Sequence, residues 1–227
     1  MRPPARINRW LCAVRASIRL GALLGALACG NARGATLVVT VQSADGKPLA
    51  GAVITARPLE GTARRPEPIK AVMDQVNRAF EPDLMVIPVG STVTFPNSDS
   101  VSHQIYSFSP AKRFQLPLYR GTPYPPVHFD TAGVVTLGCN IHDQMVGYLV
   151  VTDAPWYGRT DAKGTWAGEV TRGRYRIALW HPRMREADAG AEHEVMVGET
   201  GSAQLTVRLG KPLTPAPLGD RPHSWDY

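Results

Sequence analysis

The sequence predicts an all-β protein built from small sandwiches. Short runs of alternating apolar and polar residues recur along the chain, which is the period-2 signature of half-buried strands. Turn signals separate them, and the chain carries 20 prolines and 21 glycines, residues that punctuate strands. No long stretch shows a helical period.

The first run is Thr36-Leu37-Val38-Val39-Thr40-Val41-Gln42, in which Leu37, Val39 and Val41 share one face. Asp45-Gly46-Lys47-Pro48 reads as a turn, and Ala52 to Ala56 as a returning strand, so the two form a hairpin-like pair. The Pro- and Arg-rich stretch from Pro58 to Pro68 reads as a linker. In the next block Leu84–Ile87, Thr92–Phe95, Val101–Phe108, Gly133–Gly138 and Val146–Thr152 alternate as strands. Ser109 to Val127, rich in proline and aromatics, reads as an irregular excursion. Six or more short strands suit a small sandwich. Beyond Pro155, strands are predicted over Trp166–Val170, Arg174–Trp180, Glu194–Val197 and Ala203–Leu209, and a loose tail over 211–227.

The N-terminus reads as an export signal over residues 1–34. Arg2, Arg6, Arg9, Arg15 and Arg19 make a basic region, Leu20 to Cys29 a short apolar core, and Ala32-Arg33-Gly34 a small-x-small cleavage site before Ala35. The apolar run is too short to span a bilayer, so no stable membrane insertion is expected after cleavage. Cys29 offers a lipoprotein alternative, weakened by Ala26 three positions before it. The formal charge of +6 equals the six arginines of residues 1–34, which contain no acid. The mature chain is therefore near neutral and gives no electrostatic footprint for nucleic acid.

Removal of the signal takes Cys12 and Cys29 and leaves Cys139 alone. A single thiol in an oxidising compartment must be buried, paired or metal-bound. Its neighbours decide between these: Cys139, His142 and Met145 follow one another with two residues between each. Soft sulfur with imidazole is the donor set that favours copper. His103, on a different predicted strand, supplies a second nitrogen. Together these four residues match one thiolate, two imidazoles and one weak axial sulfur. Zinc is the alternative ion for such a set, with Met145 its poorest donor. His128, His181, His193 and His223 read as surface, packing or tail residues. No His-x-His pair offers a second metal centre, and no nucleophilic triad or phosphate loop stands out. An enzyme is disfavoured.

Phe95-Pro96-Asn97-Ser98-Asp99 ahead of His103, followed by Cys-x2-His-x2-Met, resembles the cupredoxins, with the loop spacing of the amicyanin branch. More closely, the chain resembles exported bacterial proteins labelled methylamine utilization proteins. The resemblance covers roughly Ile69 to Thr152. It implies a Greek-key β-sandwich holding one type 1 copper ion, with His103, Cys139 and His142 equatorial and Met145 axial. It further implies one-electron transfer through a partly exposed His142, to and from periplasmic redox proteins. Two departures stand out: Gln104 where Asn is common, and Asn140-Ile141 where Thr-Pro is common, with Asp143 after His142.

The flanks resemble a carboxypeptidase-regulatory-like, transthyretin-type sandwich. Asp45-Gly46-Lys47-Pro48-Leu49-Ala50-Gly51-Ala52 matches its opening, and Thr160 to Gly164 with Arg172-Gly173-Arg174-Tyr175 its later strands. The expected organisation is a discontinuous sandwich, 35–60 plus 154–210, interrupted by a copper domain at 61–153.

Overall fold

The computed structural model describes residues 34–185, 192–198 and 201–215. The expected export signal up to Arg33, Cys29 within it, the tail from residue 216 and His223 lie outside the described residues. Among the described residues the chain is all-β, as predicted, and no helix is long and apolar enough to cross a membrane.

The strands fall into three stretches. The first holds β1 (Ala35–Gln42) and β2 (Val53–Pro58). The second holds β3 (Lys70–Val72), β4 (Asp74–Val76), β5 (Ala79–Glu81), β6 (Leu84–Pro88), β7 (Ser91–Thr94), β8 (His103–Ser107), β9 (Phe114–Tyr119), β10 (Val127–Phe129), β11 (Gly133–Gly138) and β12 (Val146–Thr152). The third holds β13 (Trp156–Arg159), β14 (Thr165–Val170), β15 (Gly173–Trp180), β16 (Glu192–Val197) and β17 (Ser202–Arg208).

One sandwich is made by the outer stretches. Its sheets run β14-β1-β17 and β13-β2-β15-β16. Alternation places Leu37, Val39 and Val41 inward from the first sheet, against Ile54, Ala56, Tyr175 and Ile177 from the second, all fully buried. Burial of each larger side chain is worth about 1.5–3 kcal/mol. The expected β1–β2 hairpin does not form. Gln42 bridges Pro48 across the turn, but Thr160 then draws the chain away: its hydroxyl accepts the Ala52 N–H at 2.9 Å and donates to the Leu49 carbonyl at 2.7 Å. β1 and β2 therefore enter opposite sheets, and the alternation that suggested a pair reflects two faces of one core.

The middle stretch folds around its own core. A five-stranded sheet, β6-β12-β11-β8-β9, faces a three-stranded one, β10-β7-β3. Ile87, Val93, Ile105, Phe129, Val135, Leu137 and Leu149 fill the space between. The chain order within these sheets crosses from one to the other, a Greek-key arrangement. A two-stranded hairpin, β4-β5, closes one side, with Phe80 packed over Gly147 where no Cβ would fit. The supposed irregular excursion contains β9, paired to β8 with a register shift between His103 and Ile105.

A smaller apolar cluster joins the two sandwiches: Val53, Leu84 and Val150 are buried there, with the rings of Tyr148 and Trp180 at 5.4 Å. Arg159 Nη1 donates to the Leu84 carbonyl at 3.0 Å. Past β17 the chain stays tied down, since Thr214 N–H donates to the Arg183 carbonyl at 2.8 Å and Leu213 packs on the first core.

Candidate metal centre

Two segments of the middle sandwich converge at one end. His103 begins β8, and Cys139 follows β11 immediately. β11 and β8 are adjacent, with Gly138 paired to Tyr106. This neighbouring places residues 36 apart in sequence side by side: Cys139 Sγ lies 3.8 Å from His103 Nδ1. The loop after Cys139 then turns back. Met145 N–H donates to the His142 carbonyl at 2.9 Å, and the turn brings His142 Nδ1 to 3.7 Å from the same sulfur. The three donor atoms lie within 4.8 Å of one another. Met145 is buried in the same apolar cluster as Cys139.

Burial is graded across the group. His103 is fully buried, Cys139 and Met145 are each 2% exposed, and His142 is half-buried beside Ile141, which is 50% exposed. The two imidazole rings stand 4.9 Å apart at 61°. Burial, followed by the nearby His103 and Arg78, pushes the His142 imidazole below its ordinary pKa, with Asp99 opposing. That favours the neutral ring, the form in which imidazole binds a metal.

His103 is braced from behind. It pairs with Tyr119 across β8 and β9. The Tyr119 hydroxyl donates to the Phe95 carbonyl at 2.7 Å and accepts from Gln75 Nε2 at 2.6 Å; burial pushes this phenol up to about 12. Asn97 Nδ2 donates to the Tyr119 and Val101 carbonyls at 2.8 and 3.0 Å. Asn97, rather than the residue after His103, thus ties the loop before the first imidazole to its neighbouring strand.

One further residue belongs here that the sequence reading placed in the Phe95–Asp99 segment without giving it a role. Asp99 Oδ2 lies 2.9 Å from His103 Nε2, and its side chain is 8% exposed. Burial pushes the Asp99 carboxyl up, but the hydrogen bond from His103 and the N–H groups of Arg78 and Ser100 outweigh it and hold the group at about 2. Its sequence signal was its place at the end of that segment, four residues before His103.

The donors fit a first-row transition ion. Bonds of about 2.3 Å to sulfur and about 2.0 Å to nitrogen, opened to a trigonal angle of about 120°, separate sulfur from nitrogen by about 3.7 Å. The observed separations are 3.8 and 3.7 Å. A trigonal His2Cys set with a weak sulfur nearby is the arrangement that suits copper in electron-transfer proteins. Of the remaining histidines, His128, His181 and His193 are not part of this group.

Fold and donors together define an all-β chain with a two-histidine, one-cysteine centre at one end of a sandwich. No protein-family model matches the chain, and no curated protein matches it. Among solved structures it is similar to a purple cupredoxin from Nitrosopumilus maritimus, with 30% identity and a TM-score of 0.33 over 36% of this chain and 99% of that one. It is also similar to an amicyanin variant in its reduced state, at 22% identity and a TM-score of 0.32, covering 43% of this chain and 99% of that one. A copper-containing nitrite reductase from Thermus scotoductus aligns at 25% identity and a TM-score of 0.35, over 42% of this chain but only 25% of the reductase.

Proposed function

We propose that the protein is an exported one-electron carrier whose single type 1 copper ion is held by His103, Cys139 and His142, with Met145 as the weak axial donor. The observation that carries this reading is the placement of two imidazole nitrogens 3.7 and 3.8 Å from one buried thiol. When bound, copper supplies a one-electron couple between its two common oxidation states. The protein's residues do the rest. Cys139 offers its sulfur as thiolate, shielded from solvent oxidants by the apolar cluster around it. His103, fixed by Asp99 and the Tyr119–Asn97 network, resists movement when the charge at the centre changes. His142, half-buried, is the donor nearest solvent and the point of electron entry and exit. Four donors leave no open position for a substrate, which favours a carrier over an enzyme.

The partners in this reading are small periplasmic redox proteins docking over His142 and Ile141. The amicyanin-like loop spacing makes components of methylamine utilization the first candidates. The basic, then apolar, N-terminal segment supports export to the periplasm with cleavage near Ala35. The pairing of β1 with β14 and β17, and of β2 with β13 and β15, supports an organisation in which residues 35–60 and 154–210 form one module and 61–153 is inserted into it.

The test is copper loading of the mature protein. One equivalent of copper(II) should give an intense visible thiolate-to-metal band that ascorbate bleaches and reoxidation restores. A colourless protein that loses copper on gel filtration would refute the carrier and favour an interaction module.

A further inference from the structure

Asp99 is built into the centre more firmly than an adventitious neighbour would be. Its Oδ2 meets His103 Nε2 at 2.9 Å, on the far side of the ring from the Nδ1 that faces Cys139. The same Oδ2 accepts the Arg78 N–H at 2.7 Å, and Oδ1 accepts the Ser100 N–H at 2.6 Å and the Ser100 hydroxyl at 3.3 Å. The Asp99 N–H in turn donates to Asn97 Oδ1 at 3.0 Å. Arg78 reaches this place because the β4–β5 turn runs through Asn77 and Arg78, at φ 51° and 60°, a left-handed conformation uncommon for residues with a Cβ. Two separate segments therefore immobilise one carboxylate against one fully buried imidazole.

A carboxylate can only accept, so the proton between them sits on His103 Nε2, and in the neutral ring this leaves the Nδ1 lone pair free. A hydrogen bond to carboxylate also raises the basicity of the opposite ring nitrogen, and partners of this kind change metal affinity by about 10–100-fold. We infer that Asp99 is a positioning residue for the metal centre: it locks His103 in the Nε2–H form with Nδ1 toward the Cys139 sulfur, and its charge biases the site toward the oxidised metal. The inference rests on the copper reading above. Orientation and charge are separable, because a neutral amide at this position still accepts from Nε2–H but brings no negative charge.

The experiment compares the wild-type protein with Asp99→Asn and Asp99→Ala. In the copper-free proteins at fixed neutral pH, long-range proton–nitrogen NMR should show His103 as one Nε2–H tautomer in wild type and Asp99→Asn, and as a mixture in Asp99→Ala. In the copper-loaded proteins, Asp99→Asn should keep the wild-type band while its copper(II)-to-copper(I) affinity ratio falls about tenfold, equivalent to a potential about 59 mV higher for one electron. If Asp99→Ala does not fold, the near-isosteric Asp99→Asn decides the matter through that ratio. A coloured, redox-active protein whose affinity ratio is indifferent to Asp99→Asn would overturn the inference alone. A wild-type protein that takes up no copper would overturn the reading beneath it.

Discussion

Cys139 Sγ stands 3.8 Å from His103 Nδ1, although 36 residues separate them. The proximity follows from sheet order: β8 lies beside β11, and the ends that carry His103 and Cys139 emerge on the same side. Truncation of the two sulfur residues should therefore have unequal effects. Cys139→Ser removes the thiolate and should abolish the visible band. Met145→Leu keeps the buried volume and the equatorial set, so the band should persist while the potential rises. Absorption spectra and redox titration of both variants check this; equal loss of copper from both would contradict the axial assignment.

Gly138 faces Tyr106 across the same strand pair, and a Cβ on residue 138 would sit 2.7 Å from the tyrosine Cζ. Gly138→Ala should cost about 1–3 kcal/mol through overpacking, read from the urea midpoint. Adding Tyr106→Ala should recover part of that cost, with a coupling of about 0.5–3 kcal/mol for residues in contact. Additive effects would show that the ring is free to move aside.

The cluster between the sandwiches gives a test of their coupling. Trp180 packs on Tyr148 at 5.4 Å beside buried Val53, Leu84 and Val150. Trp180→Ala should lower stability by about 1–3 kcal/mol, less than a fully buried tryptophan would cost. Calorimetry should show the wild-type transition broadening or splitting, while the copper band is unchanged. An altered band would mean that this contact also shapes the metal centre.

Acid sensitivity should have a contribution from His181, which is not part of the donor cluster. Burial, reinforced by the charges of Arg183 and Arg159 and opposed by Asp83, depresses its pKa to about 4, and its Nδ1 accepts the Arg183 N–H at 3.1 Å. Below the ordinary histidine value of about 6.5 the unfolded chain takes up a proton that the folded chain refuses. Stability should fall as the pH drops from about 6.5 to about 4, with no further loss from this group below that. His181→Asn, which can still accept the Arg183 N–H, should narrow the difference between urea midpoints at pH 7 and pH 5.

The clustering of His103, Cys139 and His142 was legible in the sequence because two of the three lie on one short loop, and the Asn-x-Asp segment before His103 marked the other. Asp99 was not legible in its role, since its contact with His103 is fixed by Arg78 from a hairpin whose three-residue strands carry no readable period. β9 was hidden because Pro117 and the shift opposite His103 and Ile105 break its alternation. The β1–β2 pairing was misread for a different reason. Alternation shows which face of a strand is buried, but the sheet it joins was set by Thr160, more than a hundred residues later.

The most direct measurement is X-ray absorption at the copper edge of the wild-type protein loaded with one equivalent of copper(II). One short sulfur scatterer with two imidazole nitrogens, the sulfur lost in Cys139→Ser and one imidazole lost in His103→Ala, is the result expected. A first shell made only of nitrogen and oxygen, unchanged by either substitution, would contradict the site described for this protein.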